Sequence, residues 1–316
     1  MPRVRANGID VEYESFGRED DPLVLLIMGL AAQLLFWPEP LCEGLAAKGF
    51  RVVRFDNRDI GKSTHLSDGG TPNIPELLKR AASGLRLETP YTLADMAEDA
   101  VGLISALGAG RAHVVGASMG GMIAQLVAIN HPDRTKSLTS IMSTTGRRDL
   151  PPGDSETLAA LTRPPKSLRR EDLIEHGLLV RHALASPGFP ASEADNRAFV
   201  ERVVDRAPYD PGGIVRQLAA VIAASPRNEL LKAVRRPALV LHGDSDPLFP
   251  VAAAKDTAES IPGAELVAVP GMSHSLPESL APLCLKHLAD FLARVEARAN
   301  APVFLDGGEQ TEFAPQ

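Results

Sequence analysis

One pentapeptide, G-A-S-M-G at residues 116–120, constrains the fold of this chain more than any other segment. An apolar run of β-strand character, residues 112–115, precedes it, and a helix-like run, residues 122–129, follows it. A G-x-S-x-G sequence between a strand and a helix is typical of a sharp, strained turn that points the serine hydroxyl outwards. The pattern alone is weak, but its position between a strand and a helix makes Ser118 a candidate nucleophile.

Two later segments supply the groups that activate a serine. An apolar run that ends at Gly243 leads into an acidic turn, and a second run that ends at Val269 leads into a loop with His274. A serine hydroxyl is unreactive at neutral pH unless a base takes its proton and a carboxylate orients and stabilises that base. We therefore predict Ser118 as the nucleophile and His274 as the general base and then acid.

The acidic turn offers two carboxylates for the orienting role, Asp244 and Asp246. Asp244 comes immediately after the predicted strand, where a side chain can simply cap the turn. The turn after the preceding predicted strand, S-T-T-G at residues 143–146, carries no carboxylate. The chain order is therefore serine, aspartate, histidine, which differs from the order in the trypsin and subtilisin types of serine hydrolase.

Composition and charge exclude several classes of protein. The 316 residues have a net charge of −7 and no basic run longer than a pair, which argues against nucleic acid as a partner. The longest apolar stretch, residues 23–32, is about half a membrane span, and the chain opens without an apolar signal core, so we expect a cytoplasmic protein without a membrane span. Cys42 and Cys284 are expected to be buried free thiols, and no Cys/His spacing indicates a metal site. His113 and His242 lie in or beside predicted core strands, where we expect structural histidines.

Strand and helix signals alternate along most of the chain, which predicts a mostly parallel sheet with helices on both faces. Near the N-terminus an N-G dipeptide between alternating runs indicates an antiparallel hairpin. The predicted core therefore comprises residues 1–144 and 234–299. Residues 145–233, where helical segments follow one another without a strand signal, are predicted to form a helical cap inserted after the sixth strand, and residues 300–316 a flexible C-terminal tail.

Three further motifs resemble those of capped α/β hydrolases. F-D-N-R-D-I-G-K-S at residues 55–63 is similar to the family's D-x-R-G-x-G-x-S turn after strand 4, with Asp59 where glycine is usual. G-x-x-D-x-x-x-P at residues 243–250 and G-M-x-H at residues 271–274 match the family's acid and histidine segments. The resemblance covers residues 3–295, and within the family it is greatest to serine esterases of the aclacinomycin methylesterase type.

This resemblance implies both a fold and further site residues. The fold is the α/β-hydrolase fold, a mostly parallel eight-stranded sheet flanked by helices. The acid of the catalytic triad is Asp246 rather than Asp244. An oxyanion hole requires two backbone N–H donors, and the resemblance assigns them to Leu30 and Met119. Leu30 lies in the loop after strand 3, where Met28 replaces the histidine that usually supports this loop in the family.

The expected activity is hydrolysis of a carboxylic ester of a small to medium, largely apolar molecule through an acyl-enzyme, with no cofactor or metal. The same triad also serves perhydrolysis in relatives of the non-haem haloperoxidase type, cleavage of lactones or C–C bonds, and removal of methyl esters in secondary metabolism. A ligand sensor that keeps the triad but barely turns over is the non-enzymatic alternative. No feature of the sequence specifies the physiological substrate or the oligomeric state.

Three residues near the expected site could have structural roles instead of contacting the substrate. Trp37, a few residues beyond the oxyanion loop, is expected either to line the substrate pocket or to pack in the core. Asp56 and Arg58 are expected to hold the turn after strand 4 by a salt bridge or backbone hydrogen bonds rather than to touch the substrate.

Overall fold

One sheet contains all eight strands of residues 1–299, the part of the chain that the computed structural model describes. Its strands are β1 (Arg3–Ala6), β2 (Ile9–Phe16), β3 (Leu23–Ile27), β4 (Arg51–Phe55), β5 (Ala112–Ala117), β6 (Thr135–Ile141), β7 (Ala238–Gly243) and β8 (Glu265–Val269). The predicted C-terminal tail, residues 300–316, lies outside the described residues.

The sheet is antiparallel at one edge and parallel elsewhere. Its strand order is β1-β2-β4-β3-β5-β6-β7-β8, and the β1–β2 and β2–β4 pairs are antiparallel. All the remaining pairs are parallel. Every residue of β3, β4, β5 and β7 is buried, as expected of parallel strands that are covered on both faces. The predicted eight-stranded, mostly parallel sheet is confirmed.

Helices cover both faces of this sheet. The helices of residues 1–299 are α1 (Glu39–Ala46), α2 (Ile74–Ala82), α3 (Leu93–Ala106), α4 (Met119–Asn130), α5 (Ser155–Thr162), α6 (Arg170–Ala183), α7 (Glu193–Arg206), α8 (Pro211–Ala223), α9 (Asn228–Leu231), α10 (Val251–Ser260) and α11 (Ala281–Ala299), and not all of them contact the sheet. Successive residues of β3 point to opposite faces: Leu25 belongs to the core that contains residues of α3 and α4, and Leu26 to the core that contains residues of α1 and α11. Among residues 1–299, no helix combines the length and the apolar character needed to cross a bilayer.

The stretch between β6 and β7 holds five helices, α5 to α9, and no strand. Side-chain caps mark where two of them start, because the Asp154 carboxylate accepts the Thr157 N–H and the Ser192 hydroxyl accepts the Asp195 N–H. α6 packs against α5 and α7, and α8 packs against α2. The helical pattern predicted for this stretch, called the helical insertion below, is therefore present.

Both cysteines are buried free thiols, Cys42 in α1 and Cys284 in α11. Burial raises the pKa of each thiol to about 12. Neither cysteine is therefore a thiolate nucleophile at neutral pH.

His113 links the central strand β5 to the last helix. Its Nδ1 lies 2.7 Å from the Ser137 hydroxyl of β6, and its Nε2 lies 2.9 Å from a carboxylate oxygen of Glu296 in α11. Lys136 donates to the same carboxylate oxygen at 2.7 Å. The hydrogen bond from His113, helped by Lys136, lowers the pKa of Glu296 from 4.5 to about 2. His113 thus has the structural role expected from its place in a core strand.

The depressed pKa of Glu296 predicts a defined pH dependence of stability. Because this pKa is lower in the folded state, the carboxylate stabilises the fold above pH 4.5 and loses that contribution as the pH falls from 4.5 towards 2. In urea unfolding at successive pH values, the difference in free energy of unfolding between wild type and Glu296→Gln is expected to shrink over this interval. Glu265→Gln, which breaks an exposed pair with Arg294, is the control and should show a small difference at every pH. A constant Glu296→Gln difference down to pH 3 would contradict this linkage.

Candidate active site

Ser118 occupies a strained turn between β5 and α4. Its backbone has φ +56° and ψ −121°, a left-handed conformation that non-glycine residues rarely adopt. The Ser118 N–H donates to the Ile141 carbonyl of β6 at 2.9 Å, and the Ser118 carbonyl accepts the N–H groups of Gly121 and Met122 in the first turn of α4. The turn is therefore held by the neighbouring strand and by the helix that follows it, and the serine side chain stands at the carboxyl edge of the sheet.

Glycine is required on both sides of this serine. A Cβ atom on Gly116 would collide with the Gly120 carbonyl, and a Cβ atom on Gly120 would collide with the Ile27 carbonyl at the end of β3. The two glycines of the pentapeptide thus let α4 approach β5 and β3 closely, which is the packing that the G-x-S-x-G pattern predicts.

The three residues selected from the sequence meet at this edge of the sheet. The Ser118 Oγ lies 2.8 Å from the Nε2 of His274, and the His274 Nδ1 lies 2.8 Å from the Oδ2 of Asp246. Because Nδ1 faces a carboxylate, it carries the ring proton, and Nε2 is left to accept the serine proton. His274 and Asp246 are each 7% exposed, and Ser118 is half-buried. The arrangement is thus largely shielded from water but reachable at the serine.

Of the two candidate carboxylates, only Asp246 contacts His274. The Asp246 Oδ1 accepts the N–H groups of Leu248 and Phe249 at 2.8 and 3.0 Å. Asp244 is exposed, and its Oδ1 instead accepts the Gly271 N–H at 2.7 Å. This bond ties the turn after β7 to residues 270–277, the loop that carries His274 and is called the histidine loop below.

Asp246 carries a negative charge in this environment. Burial by itself would raise its pKa, but attraction to His274 and hydrogen bonds from His274 and the Phe249 N–H outweigh burial and hold the pKa below its ordinary value. The ionised carboxylate can therefore fix the orientation of His274 and stabilise its positively charged form.

A second histidine, His242, supports the turn that presents Asp246. It is 1% exposed, and its Nε2 donates to the Phe249 carbonyl at 2.6 Å while lying 3.6 Å from Asp246 Oδ2. The Phe249 ring in turn meets the His274 ring edge-on, with 5.4 Å between ring centres. Burial lowers the pKa of His242, so it is neutral at neutral pH. The sequence predicts a structural role for His242 but not its contact with this turn, because Phe249 approaches the end of β7 only in the folded chain.

The loop after β3 lies directly against the serine. A Cβ atom on Gly29 would be 3.1 Å from the Ser118 Cβ. The Met28 carbonyl accepts the Asn57 side-chain amide at 2.9 Å, and the Ala31 N–H, at a residue with φ +60°, donates to the Gln217 side chain of α8 at 3.0 Å. The loop is therefore held both by the turn after β4 and by α8, one of the helices between β6 and β7.

The two predicted oxyanion donors come from different segments of the chain, one directly after Ser118 and one in the loop after β3. Met119 is the first residue of α4, and Leu30 follows the glycine that touches Ser118. Within residues 1–299, neither backbone N–H has a protein acceptor. Free N–H groups at this position are what an oxyanion hole requires, and the assignment of Leu30 and Met119 stays a prediction.

Trp37 is completely buried in the core that contains residues of α1 and α11. Its carbonyl accepts the Arg54 guanidinium at 2.5 Å. Between pocket lining and core packing, burial therefore supports core packing for Trp37.

Asp56 holds the turn after β4, as expected, but not through Arg58. Its carboxylate accepts the N–H groups of Leu34 and Lys62 at 2.8 and 2.9 Å, and it pairs with Arg206 of α7 at 2.7 Å. Arg58 instead makes a buried two-pronged pair with Asp99 of α3, at 2.6 Å for both contacts. Asp56 therefore connects the turn after β4 to the segment that follows β3 and to α7.

Asp59, the departure from the family's usual glycine, makes a second buried link to the insertion. It has φ +68° and is fully buried. Both of its carboxylate oxygens accept from the guanidinium of Arg216 in α8, at 2.7 and 2.8 Å. Three side-chain atoms that could bind a metal ion lie within 4.8 Å of one another here, from Asp59, His65 and Asp210. The Arg216 guanidinium contacts both carboxylates of this group, so an arginine of the chain itself places a positive charge beside them.

Replacing Asp59 with glycine is expected to lower the free energy of unfolding by about 2–4 kcal/mol. Loss of one partner of a buried pair costs about 3–5 kcal/mol because the other charge is left buried. Glycine at φ +68° recovers about 1 kcal/mol of that loss. Chemical denaturation measures the change, and the double variant Asp59→Gly, Arg216→Met should recover about half of it. Equal stabilities of wild type and Asp59→Gly would show that the pair does not hold α8 in place.

A mostly parallel sheet with a serine in the turn after a central strand, and an aspartate and a histidine beyond later strands, is the arrangement of the α/β hydrolases. The chain belongs to the α/β hydrolase fold family, whose model matches residues 22–279.

Individual relatives have a range of hydrolytic names. The chain is 31% identical to 2-(acetamidomethylene)succinate hydrolase of Mesorhizobium japonicum, over 86% of this chain and 88% of that one. It is 28% identical to rhodomycin D methylesterase DauP of Streptomyces sp. (strain C5), over 84% of this chain and 88% of that one. The enol-lactonase structure from Burkholderia xenovorans LB400 superposes with a TM-score of 0.68 at 23% identity, covering 92% of this chain and all of that one, and shares the fold.

Proposed function

We propose that this protein is a serine esterase that cleaves carboxylic esters of small to medium, largely apolar molecules through an acyl-enzyme. The observation that carries the proposal is the pair of 2.8 Å contacts that join Ser118 Oγ to His274 and His274 to Asp246. Serine, imidazole and carboxylate in this order are the constellation that activates a hydroxyl for acyl transfer.

Acylation begins when the Ser118 Oγ attacks the ester carbonyl carbon as His274 Nε2 takes the hydroxyl proton. The carbonyl oxygen becomes negative, and the N–H groups of Leu30 and Met119 are the donors proposed to stabilise it. The imidazolium of His274 then gives its proton to the departing alkoxide. The alcohol leaves, and the acyl group stays on Ser118.

Deacylation repeats these steps with water. His274 takes a proton from water, the resulting hydroxide attacks the acyl-serine, and the proton is returned to the Ser118 oxygen as the carboxylic acid leaves. Asp246 stays ionised throughout and offsets the positive charge that His274 carries in each half-reaction. Each step is an acyl transfer that serine, imidazole and water can complete between them.

Residues 145–233 are proposed to form the cap over this site, with residues 1–144 and 234–299 as the catalytic core. Contacts from three helices or their connections support the assignment. Gln217 of α8 bonds to the loop after β3, Arg206 of α7 pairs with Asp56, and Ser186 between α6 and α7 bonds to the histidine loop. A cap held at these points would select substrates by the shape it leaves above Ser118.

Methyl esters of small to medium carboxylic acids are the first substrate class to test within this proposal. The likeness to rhodomycin D methylesterase over 84% of the chain supports that choice. The close approach of Gly29 to Ser118 leaves little side-chain bulk on the oxyanion side of the nucleophile.

The proposal is tested by steady-state hydrolysis of p-nitrophenyl acetate, butyrate and octanoate, together with methyl esters of aromatic acids. Turnover with saturation kinetics, and a pre-steady-state burst of p-nitrophenol, are expected for at least one ester. A lactone, and acetate with peroxide in the presence of bromide, are assayed in parallel. Turnover of these alternatives without any ester hydrolysis would replace the esterase assignment, and binding without turnover of any compound would indicate a sensor.

A further inference from the structure

One hydroxyl in the connection between α6 and α7, that of Ser186, forms hydrogen bonds with both sequence neighbours of His274. The Ser186 Oγ accepts the Ser273 N–H at 2.9 Å and lies 2.9 Å from the Ser275 Oγ. Ser186 is 3% exposed, so water does not compete freely for these bonds. The histidine loop and this connection are 87 residues apart in the chain, so the contact exists only when the helical insertion is seated on the core.

Two glycines bring the same segments into backbone contact. The Gly188 N–H donates to the Gly271 carbonyl at 2.9 Å. A Cβ atom on Gly188 would lie 3.0 Å from the Gly271 Cα, and one on Gly271, which has φ +72°, would lie 2.7 Å from the Gly188 Cα. Side chains at either position would therefore separate the two backbones. On its other side the Gly271 N–H is held by Asp244.

The histidine loop needs such support because no strand or helix fixes His274 itself. Regular structure ends at Val269 and resumes only at the 3₁₀ turn Glu278–Leu280. His274 must nevertheless keep Nε2 near Ser118 and Nδ1 near Asp246 at the same time, and a displacement of about 1 Å at a reacting group can cost about 10²-fold in rate. Bonds to the residues on both sides of the histidine restrict the backbone movement that would cause such a displacement.

We propose that Ser186 is a positioning residue for His274, and that seating of the α6–α7 connection on the core aligns the catalytic base. The inference rests on the function proposed above, since it assigns His274 as that base. Docking of this part of the insertion and alignment of His274 are then a single event. The insertion acts on the rate of the chemical step as well as on the shape of the substrate site.

The test compares wild type with Ser186→Ala and Ser186→Thr on the ester that wild type hydrolyses best. Ser186→Ala is expected to lower kcat about 10- to 100-fold with KM changed less than about threefold, because the loss lies in alignment rather than in substrate contact. Ser186→Thr keeps the hydroxyl and should regain most of kcat. The rate of fluorophosphonate labelling, which also depends on His274, should fall in parallel with kcat in Ser186→Ala.

Ser279→Ala is the matched control. Its exposed hydroxyl donates to the Phe189 carbonyl of the same connection at 3.2 Å but lies away from His274, so kcat should stay within about twofold of wild type. Should Ser186→Ala fail to fold, Ser275→Ala removes the outer partner of the same hydroxyl, with an expected fall in kcat of about 3- to 10-fold.

Wild-type kcat in folded Ser186→Ala, or a loss confined to KM, would overturn the positioning role while leaving the esterase proposal intact. A loss in Ser186→Ala that Ser186→Thr does not restore, with an equal loss in Ser279→Ala, would also overturn it, because any disturbance of the connection would then suffice. Failure of the esterase proposal has a different signature, since wild type itself would lack ester turnover that depends on Ser118. That outcome would remove both proposals.

Discussion

Replacing Ser118 with alanine is expected to lower kcat for ester hydrolysis by about 10⁴- to 10⁶-fold. The variant keeps the binding surface and the N–H donors but has no atom that can form the acyl-enzyme. Alanine and serine differ little in size, and the residue already adopts φ +56° with a Cβ atom present, so the fold should persist. Steady-state kinetics with the best p-nitrophenyl ester, and a thermal melt of both proteins, measure the two expectations.

The matched control for this substitution is Ser245→Ala. Ser245 is exposed beside the acidic turn, and its hydroxyl bonds only to Asp244 among residues 1–299, so kcat should change less than about threefold. Turnover in folded Ser118→Ala within tenfold of wild type would mean that ester cleavage occurs elsewhere on the protein or by another nucleophile.

The second large effect is expected for Asp246→Asn, with a fall in kcat of about 10⁴-fold. The amide can donate a hydrogen bond to the His274 Nδ1, which places the ring proton on Nε2, where it can no longer accept the proton of Ser118. The amide also lacks the charge that stabilises the imidazolium. Since the contacts from Leu248 and Phe249 reach Oδ1, an oxygen at that position preserves the turn, and KM should change little.

Asp244→Asn tests which of the two carboxylates of this turn orients His274. Asp244 bonds to the Gly271 N–H and not to His274, so its amide should keep kcat within about fivefold of wild type. The reverse ranking of Asp244→Asn and Asp246→Asn in kcat would contradict the assigned acid.

Much of the sheet and the central residues of the site could be predicted from the sequence because local signals specify them. The uninterrupted apolar run at residues 23–28 predicts β3 as a strand covered on both faces, and the apolar run before the pentapeptide predicts β5. Glycines on both sides of Ser118 are a direct consequence of the close approach of α4 to the neighbouring strands. Parallel strands end at one edge of a sheet, so an aspartate and a histidine after β7 and β8 are expected near a serine after β5.

The remaining contacts could not be predicted because they join segments whose relative placement no local pattern encodes. Asp59 and Arg216 are 157 residues apart, and Ser186 and Ser273 are 87 residues apart. Helical periodicity shows which face of α8 is apolar but not which turn that face meets. Ser186 lies in a connection without regular structure, where no periodic signal exists. For the same reason the sequence allows two interpretations of Trp37, whose burial in a core shared with residues of α1 and α11 follows only from the folded structure.

The central claim is that Ser118 is the nucleophile and that His274 activates it. Mass spectrometry of the protein after reaction with a fluorophosphonate tests this claim directly, with the adduct located by peptide mapping. We expect one adduct per chain, on the peptide that contains Ser118, and labelling at least about 10²-fold slower in His274→Ala. An adduct on any other residue, or labelling of Ser118 at the same rate without His274, would contradict it.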